Sequence, residues 1–166
     1  AKLACSAKYI TGLSDNRIVD DLASYSPAVK VVDISYNEQA KSATASLFGM
    51  ATTTAQFRQG LGCSLTMGNS DKLDQVIVPK LATSNAPWPL GNNTAENIND
   101  DIQAVLNGIV KSDNANGLNS RALLVVHDGK IVAQHYGDGF DENTPLLGWS
   151  MGKSVTAMMI ARLQQM

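Results

Sequence analysis

The sequence has few of the residues that metal, redox and nucleic-acid sites require. Its 166 residues include two cysteines and two histidines, with no Cys-x-x-Cys pair. It has neither a Gly-rich phosphate-binding loop nor a dinucleotide-binding fingerprint. Basic residues are scattered and the net charge is −2, so nothing favours a nucleic-acid partner. These absences argue against metal, nucleotide and nucleic-acid chemistry, and we expect no cofactor.

Long apolar runs are missing as well. No stretch approaches the roughly eighteen apolar residues of a membrane-spanning helix, so no span is expected. An apolar content of 44% with a charged content of 17% is typical of a globular protein rather than a disordered one. Residue 1 is alanine, which favours a processed or trimmed N-terminus.

The two cysteines, Cys5 and Cys63, lie 58 positions apart. In an oxidising compartment they could form a disulfide, and closing a loop of that length stabilises a fold by about 4 kcal/mol in the chain-entropy model. The alternative is a pair of separate buried thiols. We favour the disulfide, which would tie the N-terminal segment to the residues before Ser64.

The N-terminal part of the chain predicts a mixed α+β segment, because β-branched runs alternate with turn residues. The predicted elements are a short helix over 17–22, strands over 29–36 and 42–48, a helical turn over 54–59 and a brief strand over 76–78. Residues 64–97 are largely irregular. Such a long irregular stretch is typical of a functional or wrapping loop, and the alternative is a segment that joins two layers.

A helix and a hairpin are predicted after this stretch. The helix is capped by Asn97 or Asn99 and runs to about Lys111, with apolar residues at helical spacing. In the hairpin, Asp128 and Gly129 form the favoured two-residue turn.

A regular hairpin register would pair His127 with Lys130, Val125 with Val132 and Ala122 with His135. Both faces would then be apolar, so we expect helices to cover the hairpin on both sides. The same register separates the two histidines on opposite faces. They could not bind one metal ion together, and His127 beside the turn is expected to face solvent.

Ser150 and Lys153 begin a Met-rich apolar segment. Residues three positions apart on a helix share one face, so the lysine amine can reach the serine hydroxyl. A serine hydroxyl is a poor nucleophile until a base takes its proton, which a desolvated lysine amine can do. The unpaired Ser150 N–H of the first turn would be a donor for an oxyanion. This spacing predicts Ser150 as nucleophile and Lys153 as its base.

The alternative interpretation of the same spacing is structural. Residues 155–163 are apolar nearly all round, which predicts a buried helix. Ser150 and Lys153 would then serve only for capping and solubility in the first turn of that helix.

Residues 145–154, Pro-Leu-Leu-Gly-Trp-Ser-Met-Gly-Lys-Ser, resemble the nucleophile motif of the serine β-lactamase and penicillin-binding-protein superfamily. The nearest likeness is to the class C-like branch, which includes 6-aminohexanoate-dimer hydrolases and related esterases. The hairpin over 122–137 resembles the two strands that precede the nucleophile helix in that branch. The likeness extends over 95–166, whereas 56–63 resembles the N-terminal extensions of secreted members only loosely.

This resemblance implies an α/β (α+β) fold with a β-lactamase/transpeptidase-like antiparallel sheet flanked by helices, incomplete in this chain. Residues 95–166 would be the first part of the catalytic domain, and 1–94 an N-terminal α+β extension with a wrapping loop. No residues of this chain can be assigned to the family's later Tyr-x-Asn and Lys- or His-x-Gly motifs, which follow the nucleophile. The remaining C-terminal part of the same protein is therefore the expected partner, and the isolated chain is expected to be inactive.

The function implied by the resemblance is that of a periplasmic or secreted serine hydrolase. It would act through an acyl-enzyme on an amide, ester, peptide or β-lactam substrate, with Ser150 and Lys153 as catalytic residues and with no metal or cofactor. The alternative is a non-catalytic β-lactamase-like binding or scaffold module in which both side chains are merely structural.

Overall fold

A computed structural model describes residues 1–80 and 82–166 as a mixed α+β fold. Its elements, in chain order, are α1 (Lys2–Tyr9), α2 (Asp15–Tyr25), a 3-10 helix (Pro27–Val31), β1 (Val32–Asn37), β2 (Ser42–Leu47), β3 (Ala51–Arg58), β4 (Gly62–Leu65), α3 (Asp71–Asp74), α4 (Asp100–Ala115), β5 (Ala122–His127), β6 (Lys130–Tyr136) and α5 (Met151–Gln165).

The chain forms two compact units. One comprises Ala1–Val78 together with Pro145–Met166, and the other comprises Pro79–Thr144. This division by contacts is not the division expected from the sequence, 1–94 and 95–166, which rests on the family resemblance and stays a prediction.

The first unit is built on a four-stranded antiparallel meander in the order β1-β2-β3-β4. Alternate residues of each strand point to opposite faces, and α1 packs on the face that carries the small residues. Ala43 and Ala55 are paired in register on this face and are fully buried. Their small side chains let the helix lie close, so Ala4 and Cys5 of α1 complete the core.

The predicted disulfide between Cys5 and Cys63 is confirmed. It joins α1 to β4, and both cysteines lie in the same buried cluster as Ile18 of α2. The bond therefore links the two layers of this unit at their core.

Two predictions for the first unit are wrong. Residues 54–59, expected as a helical turn, lie largely within β3, because the β-branched residues before Ala55 pair with β2 and the Thr44 and Thr54 hydroxyls lie 2.9 Å apart. Residues 76–78 form no strand. Val78 instead packs over Gly60, where an added Cβ would lie 2.6 Å from the Val78 Cβ.

Other boundaries moved by a few residues. The expected helix over 17–22 is the middle of the longer α2, and the strand expected over 42–48 is β2. The strand expected from residue 29 begins at Val32, because Pro27 starts a 3-10 helix that runs to Val31.

In the second unit, α4 packs against β6. Asn99 caps this helix: its side-chain oxygen accepts the Ile102 N–H at 3.1 Å, which decides between the two caps that the sequence allowed. Gln103 then binds the backbone of Gln134 twice, donating to its carbonyl at 2.8 Å and accepting its N–H at 3.0 Å. These bonds fix the helix on the strand.

The hairpin turn is as predicted, but the register is not. Asp128 and Gly129 both have positive φ, and His127 pairs with Lys130. Beyond Val126 the pairing shifts by one, so that Val125 faces Ala133 and not Val132. The shifted register also pairs Ala122 with Tyr136 and Leu123 with His135.

The shift leaves Val132 as the extra residue of a bulge. Its carbonyl accepts the N–H of Asn99, the N-cap residue of α4, at 2.8 Å. The bulge is therefore the point at which the hairpin binds the start of α4. At Val132, a hydrogen bond to Asn99 outside the hairpin takes the place of the regular cross-strand pairing with Val125.

Within the second unit, helices do not cover both faces of the hairpin, which differs from the expectation. Ile131 and Ala133 are buried, whereas Leu124 and Val126 on β5 remain 47% and 49% exposed. The reason is that α4 is the only helix among the described residues of this unit. Across both units, none of the helices within 1–80 and 82–166 has the length and apolar character needed to cross a bilayer.

Candidate active site

The residues before α5 turn sharply into the helix. The Gly148 carbonyl accepts the Met151 N–H at 2.9 Å, and the Ser150 carbonyl accepts the Lys153 N–H at 3.0 Å. Trp149 has a φ of +42°, in the left-handed region that a bulky side chain rarely adopts. Ser150 follows it as the N-cap residue, with helical dihedral angles.

Ser150 and Lys153 meet as their spacing predicts. The Lys153 Nζ donates to the Ser150 Oγ at 2.9 Å, and both side chains are exposed. An ammonium at this distance holds the hydroxyl in place. After losing a proton, the same nitrogen is positioned to accept the hydroxyl proton when the oxygen attacks a carbonyl.

The main chain at this point offers a donor to a developing negative charge. Within the described part of the chain, no acceptor is bonded to the Ser150 N–H. The first turn of α5 carries no acidic residue. An oxyanion formed beside the Ser150 Oγ would therefore meet a free N–H at the positive end of a helix.

Two residues of the N-terminal segment hold or flank this site, and sequence reasoning missed both. Thr11 donates its hydroxyl to the Pro145 carbonyl at 2.9 Å. The ring of Tyr25 contacts the indole of Trp149, with 5.1 Å between centroids and 50° between planes. No local pattern indicates either contact, because each partner lies more than a hundred positions away.

The prediction that α5 is buried is wrong. Every residue of this helix is exposed, including Met158 at 63%, Ile160 at 61% and Leu163 at 69%. An apolar composition shows that a helix is suited to burial, but it does not supply the surface that buries it. Lys153 accordingly lies in solvent and not in the desolvated setting that was expected.

The two histidines belong to the second unit, and each has a partner there. The His135 Nδ1 lies 2.7 Å from the Asn107 Oδ1. His127 is largely exposed beside the turn, as predicted, with its Nδ1 3.5 Å from a carboxylate oxygen of Asp128. The described residues contain no group of three or more histidine, cysteine, aspartate or glutamate side chains arranged to hold a metal ion.

Comparisons with protein-family models, with curated proteins and with solved structures found no match for this chain.

Proposed function

We propose that this chain supplies the nucleophile and the base of a serine hydrolase that acts through an acyl-enzyme on an amide, ester or β-lactam. The observation that supports the proposal is the 2.9 Å contact between Lys153 Nζ and Ser150 Oγ at an exposed helix start. The likeness of 145–154 to the serine β-lactamase and penicillin-binding-protein motif supports the same chemistry.

The mechanism begins with attack of the Ser150 oxygen on the substrate carbonyl carbon while the hydroxyl proton moves to the Lys153 amine, once further segments of the protein have removed that amine from solvent. The Ser150 N–H stabilises the resulting oxyanion. Collapse of the tetrahedral intermediate breaks the bond to the leaving group, which takes the proton from Lys153. Water then attacks the ester carbonyl, the acid product leaves, and Ser150 regains its proton.

The proposed architecture is the β-lactamase-like catalytic domain, with further segments of the same protein packed around the nucleophile helix. The exposed apolar surface of α5 supports this proposal, since solvent is an unfavourable environment for so many apolar side chains. We expect the isolated chain to be inactive for this reason. Ester turnover by these residues alone, lost in Ser150→Ala, would contradict that expectation.

The proposed location is the periplasm or the extracellular space. The Cys5–Cys63 disulfide supports it, because structural disulfides persist mainly in oxidising compartments.

The test is covalent labelling of the full-length protein with a fluorophosphonate and with a penicillin probe, followed by peptide mass mapping. We expect the tag on Ser150, no tag in Ser150→Ala, and labelling slowed by about 10²-fold or more in Lys153→Gln. Ser154→Ala and Lys111→Gln are the matched controls, because they remove a neighbouring hydroxyl of α5 and an exposed amine of the second unit. A protein that neither probe tags at Ser150 is not the proposed enzyme.

The second candidate is a non-catalytic binding or scaffold module. The observation that favours it is the exposure of Lys153, because a lysine that acts as a base is usually desolvated. Under this alternative, Lys153→Gln leaves the full-length protein folded and its ligand binding unchanged, and no acylating probe modifies Ser150.

A further inference from the structure

We propose that Tyr25 and Trp149 form an aromatic wall beside Ser150 that selects substrates with an apolar, uncharged acyl group. This inference rests on the proposed serine-hydrolase function. The contact between these two residues, their exposure and the backbone at Trp149 support it.

The ring pair is not part of a core. Its centroids are 5.1 Å apart in a tilted arrangement, yet Tyr25 is 65% exposed and Trp149 is 57% exposed. Aromatic rings that pair within a core lose nearly all their exposure, whereas both residues of this pair keep more than half of theirs, and Trp149 directly precedes the proposed nucleophile in the chain. A planar or aliphatic group bound there would cover both rings.

The backbone at Trp149 holds the indole in this position. Its φ of +42° is unfavourable for a side chain of that size, and such conformations persist where the surrounding structure requires them. They are found preferentially at active sites and ligand clamps. Trp149, the residue with this unfavourable φ, immediately precedes the proposed nucleophile, and its indole is one of the two rings of the wall.

Both sides of the wall are anchored within the first unit. Tyr25 is the last residue of α2, which the fully buried Ile18 holds in the core. The segment leading to Trp149 is held by the bond from the Thr11 hydroxyl to the Pro145 carbonyl. The ring contact therefore joins two separately fixed segments, which is the arrangement a preorganised subsite requires.

The α5 side of the wall carries an apolar side chain and no acidic residue. Met151 is 69% exposed and folds back towards Gly148, where an added Cβ would lie 3.6 Å from its terminal methyl group. The first turn of α5 has no acidic residue that could pair with a cationic acyl group. Asp21 precedes Tyr25 by one helical turn, so a cationic probe is included in the test.

The first experiment measures kcat/KM of the full-length protein for p-nitrophenyl esters that share one leaving group and differ in the acyl group: acetyl, phenylacetyl and 6-aminohexanoyl. We expect phenylacetyl to be preferred over both others. Tyr25→Ala should lower the phenylacetyl-to-acetyl ratio by about 3- to 10-fold, the range expected for one aromatic contact.

The controls separate the ring from general stability. Tyr25→Phe keeps the ring and should retain the ratio. Phe48→Ala removes an aromatic side chain of similar exposure, 67%, elsewhere in the same unit and should also leave the ratio unchanged. A ratio unaffected by Tyr25→Ala, or a preference for the cationic acyl group, would overturn the aromatic wall as the acyl subsite.

The second experiment does not depend on acylation. Phenylacetamide is titrated into a Ser150→Ala protein that also carries Trp88→Phe, which leaves Trp149 as the only tryptophan of these 166 residues, and the fluorescence change that Trp149→Phe abolishes is the signal of Trp149. We expect saturable quenching that Tyr25→Ala weakens by a similar factor. No saturable quenching overturns the wall even if Ser150 is acylated. If the quenching is saturable but the protein that keeps Ser150 is never acylated, the serine-hydrolase proposal is rejected. The Tyr25–Trp149 pair would then be a binding surface only.

Discussion

The Thr11 hydroxyl donates to the carbonyl oxygen of Pro145 at 2.9 Å, across 134 positions of sequence. The donor lies just after α1, and the acceptor opens the segment that leads to Ser150. One side-chain hydrogen bond thus holds the approach to the proposed nucleophile against the N-terminal helices.

The first prediction concerns this bond. Thr11→Val keeps the shape of the side chain but removes the donor, and a hydrogen bond of this kind contributes about 1 kcal/mol. We expect amide hydrogen exchange of residues 151–153, whose N–H groups are bonded to the carbonyls of 148–150, to become about fivefold faster. Thr52→Val is the control, because the Thr52 hydroxyl makes only a 3.4 Å contact with Ser46. Equal exchange in the two variants would show that the bond does not hold the segment.

The second prediction compares Tyr36 with Tyr9, which both pack against the buried core of the first unit. Among the described residues the buried Tyr36 hydroxyl has no hydrogen-bond partner, whereas the Tyr9 hydroxyl contacts the carbonyls of Asn37 and Ser42. Tyr36→Phe should leave the free energy of unfolding unchanged or raise it by up to about 1 kcal/mol, because it removes an unsatisfied polar group. Tyr9→Phe should lower it by about 1 kcal/mol.

Urea denaturation measures both tyrosine variants, and its pH dependence gives a second check. Burial, with the nearby charge of Asp15, raises the pKa of Tyr36 from 10.0 to about 12. The neutral phenol is thereby favoured in the folded state, so this contribution to stability is complete below pH 10 and is lost as the pH rises towards 12. Tyr36→Phe should flatten that decline. An unchanged decline would mean that other groups cause it.

The third prediction concerns the disulfide. Replacing Cys5 and Cys63 together by alanine should lower the free energy of unfolding by about 4 kcal/mol, because a loop of 58 positions is no longer closed in the unfolded chain. Urea denaturation with and without reductant measures the loss. Reductant should destabilise the native protein and leave the double variant unchanged. A native protein insensitive to full reduction would contradict the prediction.

The fourth prediction concerns the pKa of Asp141. The Thr144 hydroxyl and the Asn143 N–H both donate to the Asp141 carboxylate and lower its pKa below the ordinary value. These hydrogen bonds to ionised Asp141 therefore stabilise the folded state above the unfolded-state pKa of Asp141. That stabilisation is lost as the pH falls through the lower folded-state pKa. Thr144→Val should raise the Asp141 pKa, measured by carboxyl carbon-13 NMR titration, and Thr94→Val should not.

The fifth prediction is the tautomer of His135. The Gln134 N–H must donate, so the atom of Gln103 facing it is Oε1, and the Gln103 Nε2 then donates to the Asn107 Oδ1 at 2.9 Å. That oxygen can only accept, so the His135 Nδ1 at 2.7 Å carries the hydrogen. Long-range nitrogen-15 NMR of neutral His135 should show the Nδ1–H form. The Nε2–H form would contradict this hydrogen-bond chain.

Local features were predictable because their geometry depends on a few neighbouring residues. The Asp128-Gly129 turn and the Asn99 cap, one of the two alternatives, follow from rules of this kind. The β3 strand was mistaken for a helical turn because residues 54–59 have a weak local preference, which pairing with β2 overrides. The bulge at Val132 likewise depends on a hydrogen bond from the Asn99 N–H, and Asn99 lies outside the hairpin.

The amino-acid order alone determined that Lys153 would reach Ser150, because one turn of helix places such residues on the same face. Tertiary structure decided what surrounds them: Tyr25 beside Trp149, Thr11 on Pro145, and an α5 left in solvent. These outcomes depend on how segments more than a hundred positions apart pack together. No periodicity within either segment encodes that packing, since the contact energy arises only when both surfaces are folded and meet.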